Sequence, residues 1–357
     1  MALKHNTGDE EISVSGYEIL SKIGEGGLGA VYKARQLSMD RIVALKVFHE
    51  KWVQDEEFKK RFILEARLVG KLSHPNLITI YDVGKENGKY YFSMELVEGE
   101  SVEDILNLSQ KMEPARAISI IIQIAKAINY LKEHEIVHCD MKPGNILISR
   151  DGGVKLGDFG FVRIGMELAR PVGQPIGDGG TVLGTPEYIS PEQAMGKKRI
   201  DFRSDIYSLG ISLFHMVTGK PPYDGDSTII MRKHVKGEMP DPRTINPHLG
   251  REICAILKKM TALDPNDRYQ TVEELIKDLT IARLAEDPHS PEDVTLEEST
   301  VLSALKRERH LAQKYSEEAS ELKESAANYK LYFFLAVGVL ALSVILNIYL
   351  FLRILEK

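Results

Sequence analysis

Short runs rich in β-branched and apolar residues open the ordered part of the chain: YEILSKIG from Tyr17, GAVYKARQ from Gly29 and RIVALKVF from Arg41, each set off by glycine or polar turns. The pattern predicts an antiparallel sheet. The next stretch, EEFKKRFILEARLVGKLS, carries Phe58, Phe62, Leu64 and Leu68 at helical spacing and stops before His74-Pro75, as helices do ahead of proline. NLITIYDVG and KYYFSMELVEG return to strand character. Beyond residue 100, ARAISIIIQIAKAINYLKEH and DIYSLGISLFHMVTG are apolar over wide faces, as buried helices are. The expectation is an α+β chain with a small sheet-rich lobe followed by a larger helical one.

Two segments break this pattern. From Gly160 to Gly184 glycines crowd together with Pro171 and Pro175, which reads as a long functional loop within a compact domain. From Leu331 to Leu352 no residue is charged, and a helix of that length, at ~1.5 Å per residue, crosses a bilayer core. Tyr332, Phe333, Phe334, Tyr349 and Phe351 stand at its two ends as interfacial aromatics do. Lys306, Arg307, Arg309, Lys314, Lys323 and Lys330 precede the run and only Arg353 and Lys357 follow it, so the large N-terminal part is expected on the cytoplasmic side of a single-pass membrane protein. No folded domain is expected beyond the span.

The division that follows is a flexible 1–16, a folded domain over 17–283, an acidic, proline-broken linker over 284–301, a charged helical stalk over 302–330, the span over 331–352 and a short tail over 353–357. Leu311, Tyr315, Leu322 and Tyr329 fall near a seven-residue repeat, but Glu318 and Ser325 share the seam. A homodimer through the stalk is thus only suggested. The chain has 357 residues, 43% of them hydrophobic, and its net charge of -6 comes from mixed signs along the sequence. A nucleic-acid partner is not expected. The two cysteines, Cys139 and Cys254, lack metal-type spacing, and the polar N-terminus lacks the apolar core of a signal peptide. A reducing compartment fits.

Chemistry concentrates in four places. Ile23, Gly24, Glu25, Gly26, Gly27, Leu28, Gly29, Ala30 and Val31 form a glycine-rich turn between two strands, where backbone can approach phosphate closely. Glycine-rich hairpins are common, so this motif alone leaves nucleotide binding open. Lys46 lies among Val43, Ala44, Leu45, Val47 and Phe48 and needs a partner for its charge. Glu65 on the following helix could supply it, though a simple surface ion pair fits as well. HCDMKPGNIL and VKLGDFG then bring Asp140, Lys142, Asn145 and Asp158 in order, and the two carboxylates and the Asn offer oxygen ligands of the kind magnesium takes beside phosphates.

Together these motifs, in order over residues 17 to about 283, resemble those of the eukaryotic-like (Hanks-type) serine/threonine protein kinases of the bacterial, membrane-bound type. The resemblance implies the two-lobed protein kinase fold, with a C-terminal transmembrane helix added, and transfer of the ATP γ-phosphate to serine or threonine hydroxyls of protein substrates. It implies that the glycine turn covers the ATP phosphates, that Lys46 with Glu65 orients them, and that Asp140 accepts the hydroxyl proton. Lys142 then steadies the γ-phosphate, while Asn145 and Asp158 hold Mg2+ or Mn2+. Met94 resembles the gatekeeper, the backbone of Glu95 and Val97 would meet the adenine edge, and Ser101 would approach the ribose. In GTPEYISPE, Thr185 would contact Asp140 and Lys142. Glu192 with Arg268 is similar to a buried structural pair, and Asp205 to a brace of the catalytic loop.

One position departs from the family. Where the signature has arginine before the catalytic aspartate, this chain has Cys139, which cannot receive a phosphorylated loop. Every residue implied in phosphoryl transfer is nevertheless present. The expectation is an active kinase whose loop depends less on phosphorylation, with Thr181 as the autophosphorylation site and Arg163 as a substitute cation. The alternative is a membrane-anchored pseudokinase or nucleotide-binding scaffold.

Overall fold

The computed structural model describes residues 13–27, 29–49, 69–86, 88–158 and 185–286, with backbone alone at 163–164, 175–176 and 181–182. Leu28, Glu65, the helix expected around Phe58–Leu68, the stalk, the membrane span and the tail lie outside the described residues.

Strands β1 (Tyr17–Glu25), β2 (Gly29–Gln36), β3 (Arg41–Phe48), β4 (Ile80–Glu86) and β5 (Lys89–Met94) form one antiparallel sheet in the order β1-β2-β3-β5-β4. β3 is central and apolar, with Val43, Leu45, Val47 and Phe48 buried, which is why Lys46 beside them is buried as well. Val14, expected in the flexible N-terminus, is 4% exposed and packs with Tyr17, Ala34 and Val43. An apolar residue that bridges to the first strand joins the core whatever the polarity around it.

A second, three-stranded sheet follows, made of β6 (Gly99–Ser101), β8 (Ile146–Ser149) and β9 (Val154–Leu156) in the order β6-β8-β9. The short β7 (Ile136–Val137) precedes the catalytic motif. In the glycine-rich stretch expected as loop, β10 (Arg163–Ile164) pairs with β7, and β11 (Pro175–Ile176) pairs with β12 (Thr181–Val182). Backbone pairing that needs no side-chain pattern is invisible to hydrophobic periodicity.

The helical lobe holds α1 (Val102–Ser109), α2 (Pro114–Glu133), α3 (Pro191–Ala194), α4 (Phe202–Thr218), α5 (Ser227–Lys236), α6 (Arg251–Met260) and α7 (Val272–Glu286). α2 starts with proline at its first position, where the missing N–H costs nothing, and packs on α4 and α7. α4 starts at Asp201, whose carboxylate accepts the Arg203 N–H (2.9 Å), and ends at Gly219 with φ 86°, a left-handed cap that favours glycine. Between these ends Ile206, Leu209, Ile211, Leu213, Phe214, Met216 and Val217 are all fully buried, each contributing roughly 1.5–3 kcal/mol of gross hydrophobic stabilisation. α4 is therefore the rigid post against which the catalytic loop is set. α7 runs to Glu286, past the expected linker start at 284, since Ala282 still packs into the core and carries the helix onward.

Candidate active site

The site is assembled from the β1–β2 turn, β3, the β7–β8 loop and the end of β9. In the turn, Glu25 stands opposite Ala30 and Gly24 opposite Val31, and the Gly26 N–H donates to the Gly29 carbonyl (2.9 Å). A Cβ at Gly29 would lie 2.1 Å from the Val47 carbonyl oxygen, so glycine is required there by β3 itself. At Gly24, Gly26 and Gly27 a Cβ would meet no atom of the described residues within 4 Å. Among the described residues, these three positions leave the turn's outer side open. Ile23 is exposed, and the Glu25 carboxylate pairs with Lys22 (2.6 Å), which lowers its pKa.

Lys46 is 7% exposed and its ammonium binds the Asp158 carboxylate. Desolvation works to raise the Asp158 carboxyl, but the Lys46 charge, with help from Lys142, holds it below the usual range. Among the described residues this is the partner of Lys46; the expected partner, Glu65, lies outside them.

Asp140, Lys142 and Asn145 form one hydrogen-bonded unit. Asp140 is buried, and its Oδ2 accepts from Lys142 Nζ (2.9 Å) and Asn145 Nδ2 (2.8 Å). Asn145 Nδ2 also donates to the Asp140 carbonyl (2.8 Å), which turns the Asn145 amide oxygen away from Asp140. Lys142 Nζ donates to Thr185 Oγ1 (2.8 Å), tying the GTPEY segment to the loop as expected. The Gly157 N–H donates to the Asn145 carbonyl (2.9 Å), extending the β8–β9 pairing and setting Asn145 beside Gly157, the residue before Asp158. A carboxylate and an amide oxygen fit a hard cation that keeps further oxygen ligands of its own. Among the described residues no cluster of three His, Cys, Asp or Glu side chains could hold a metal alone.

The loop is braced from α4. Asp205 is 1% exposed and accepts the N–H groups of His138 (2.8 Å) and Cys139 (2.9 Å). Burial pushes its carboxyl up to about 7 in spite of those two donors. His138, fully buried and with its pKa lowered by desolvation, shares a hydrogen bond with the Gly157 carbonyl (3.0 Å) through Nε2. Cys139 itself has φ 68°, a left-handed conformation unusual for a residue with a Cβ.

At the strand end after β5, the Glu95 N–H donates to the Thr79 carbonyl (2.9 Å) and its carboxylate pairs with Lys155 (3.0 Å). The Glu95 carbonyl, rather than its N–H, is therefore the group that can serve a ligand there. Val97 packs beside the core with Met94. Ser101, expected near a ribose, caps α1: its hydroxyl accepts the Asp104 N–H (3.0 Å) and donates to the Asp104 carboxylate (2.6 Å). Thr181 sits in β12. Glu192 and Arg268 meet through two bonds, 2.7 and 2.9 Å long, both nearly fully buried. Sequence reasoning did not single out Gln193, which donates to the Cys139 carbonyl (2.9 Å), or His234, which bridges Tyr207 Oη (2.8 Å) and the Glu187 carbonyl (3.1 Å). The S-P-E-Q spacing announces a helix cap, not a second bond to the catalytic loop.

Comparison with known proteins agrees with this geometry. The protein kinase domain family matches residues 17–279. The serine/threonine-protein kinase PrkC of Bacillus subtilis is 36% identical over 315 residues, covering 87% of this chain and 48% of that protein. The serine/threonine-protein kinase PknB of Mycolicibacterium smegmatis is 37% identical over 293 residues, covering 81% of this chain and 46% of that protein. The chain thus spans about half the length of the curated relatives it matches. The crystal structure of the Mycobacterium tuberculosis PknI kinase domain superposes with a TM-score of 0.61 at 23% identity, covering 76% of this chain and 98% of that one. That likeness establishes the two-lobed kinase fold.

Proposed function

The chain belongs to the protein kinase family, in its bacterial eukaryotic-like serine/threonine branch, and from that premise we propose that it transfers the ATP γ-phosphate to serine and threonine hydroxyls of proteins. The observation that carries the reading is the unit of Asp140, Lys142, Asn145 and Thr185, with Lys46 of β3 bound to Asp158 at the end of β9.

The open sides of Gly24, Gly26 and Gly27 let backbone amides approach phosphate oxygens, and Ile23, Glu25, Leu28, Ala30 and Val31 complete that cover. Lys46, with Glu65 as its proposed second partner, offers its ammonium to the phosphates. The Glu95 carbonyl and the Val97 backbone hold the adenine edge. Asn145 through its amide oxygen and Asp158 through its carboxylate hold Mg2+ or Mn2+. A metal ion held by these two residues would supply charge neutralisation at the phosphates. Asp140 takes the proton of the acceptor hydroxyl at its carboxylate. Lys142 stabilises the charge that spreads over the transferring group and, through Thr185, seats the acceptor segment. Most of the acceleration comes from this positioning and charge complementarity.

The uncharged run from Leu331 to Leu352 supports a single-pass tether with the kinase domain in the cytoplasm, which raises the effective concentration of membrane-bound substrates. Autophosphorylation at Thr181 and stalk-mediated pairing belong to the same reading. Incubating the full chain with γ-labelled ATP and Mg2+ beside Asp140→Asn tests it: label enters protein in the first and not in the second. ATP binding without transfer in both would make the chain a nucleotide-binding scaffold instead. Recovery of the full chain in the soluble fraction would remove the tether.

A further inference from the structure

Gln193 stands at the third position of α3 and is 1% exposed. Its amide oxygen accepts from the Ser190 N–H (3.1 Å) and the Ser190 hydroxyl (2.9 Å), while Ser190 Oγ accepts the Gln193 N–H (3.3 Å). This reciprocal cap fixes which end of the amide faces α3. The nitrogen must then face the other way, and there it donates to the Cys139 carbonyl (2.9 Å).

That carbonyl belongs to the peptide group whose nitrogen is Asp140's, so holding it sets the plane from which the Asp140 side chain departs. Cys139 needs holding. Its φ of 68° is a sparsely populated conformation that persists only when neighbours over-determine it. Asp205 grips its N–H from α4 and Gln193 grips its C=O from α3, both from buried positions. The two grips differ in origin: α4 is the core of the lobe, whereas α3 directly continues the Thr185–Ile189 segment that Lys142 engages.

We propose that Gln193 is a positioning residue that couples the Thr185–Ser190 segment to the catalytic loop, holding the Cys139–Asp140 peptide in its productive plane by a neutral hydrogen bond. At Cys139 this chain has no cation to link loop and segment through a phosphate, and the Gln193 bond links them without one. The inference rests on the phosphotransfer reading of Asp140.

Gln193→Glu separates this role from simple capping. Glutamate keeps the acceptor that the Ser190 cap requires, but as a carboxylate it presents no donor to the Cys139 carbonyl. Protonated, it donates again. With the full chain, phosphotransfer by Gln193→Glu at pH 8 should fall about tenfold or more below wild type, with KM for ATP unchanged. The ratio of variant to wild-type rate should climb toward one as the pH is lowered to 5.5. Gln193→Met, which has no proton to regain, should stay low at every pH. A flat ratio for Gln193→Glu, or wild-type rates at pH 8, overturns the proposal. A readout independent of turnover is amide hydrogen exchange of the His138–Asp140 segment, expected to be faster in Gln193→Glu than in wild type at pH 8. If wild type transfers no phosphate, the functional reading fails by itself, and unchanged exchange in this segment still overturns the role of Gln193.

Discussion

Arg268→Met is the substitution whose cost the structure defines most sharply. Arg268 is 1% exposed and binds Glu192 through two bonds of 2.7 and 2.9 Å, while its remaining donors reach the carbonyls of Ala262 (2.8 Å), Arg203 (2.8 Å) and Leu263 (3.1 Å). Methionine fills much of the volume but leaves Glu192, 4% exposed, with the Ser204 hydroxyl as its remaining side-chain donor among the described residues. Burial favours a raised carboxyl at Glu192, and it is the Arg268 bonds that bring it below its ordinary value. Without them an uncompensated charge sits in the lobe, at a cost of about 3–5 kcal/mol. With a urea m-value of about 3 kcal/mol/M, the unfolding midpoint should fall by about 1–1.7 M. The double variant Glu192→Gln/Arg268→Met removes the stranded charge and should recover more than half of that loss. Urea titration of the full chain, followed by tryptophan fluorescence and circular dichroism, reads both. A midpoint within 0.3 M (about 1 kcal/mol) of wild type for the single variant, or strictly additive losses in the double, would refute the reasoning.

Two further outcomes are expected. Gly29→Ala drives a methyl group into the Val47 carbonyl and should raise KM for ATP on the order of tenfold through a displaced turn; an unchanged KM would show that β2 and β3 can separate at little cost. His234, buried between Tyr207 and the Glu187 carbonyl, has its pKa depressed by burial to about 4. Its contribution is present above the unfolded histidine value near 6.5 and is lost as pH falls through about 4. Wild type should therefore lose about 3 kcal/mol more than His234→Gln between pH 7 and pH 4, which parallel denaturation curves will show or exclude.

How far the sequence carried the account depends on what kind of signal each residue leaves. The sheet, α2 and α4 were legible because apolar period and burial coincide along them. Asp140, Lys142, Asn145 and Asp158 were singled out because their motifs resemble the kinase signature, and the structure joins the first three in one hydrogen-bonded unit and Asp158 to Lys46. Ser101 serves as a helix cap, a role that its place before an apolar helical run and the Asp104 partner account for. The bond from Gln193 to Cys139, and the left-handed backbone it stabilises, join residues far apart in sequence through the end of one short side chain. No periodicity records such a bond. Cys139 likewise gains its meaning from position: its thiol donates to the Val137 carbonyl (3.5 Å) within a small apolar cluster with Val137 and Ile200, a setting for packing rather than for receiving phosphate.

The central claim, that Asp140 and its partners transfer phosphate to hydroxyl side chains, is tested most directly by phosphoamino-acid analysis of protein labelled by the full chain with γ-labelled ATP and Mg2+. The account predicts phosphoserine or phosphothreonine from wild type and none from Asp140→Asn, with ATP binding retained in both. Equal labelling by the two proteins, or binding with no transfer by wild type, would contradict it.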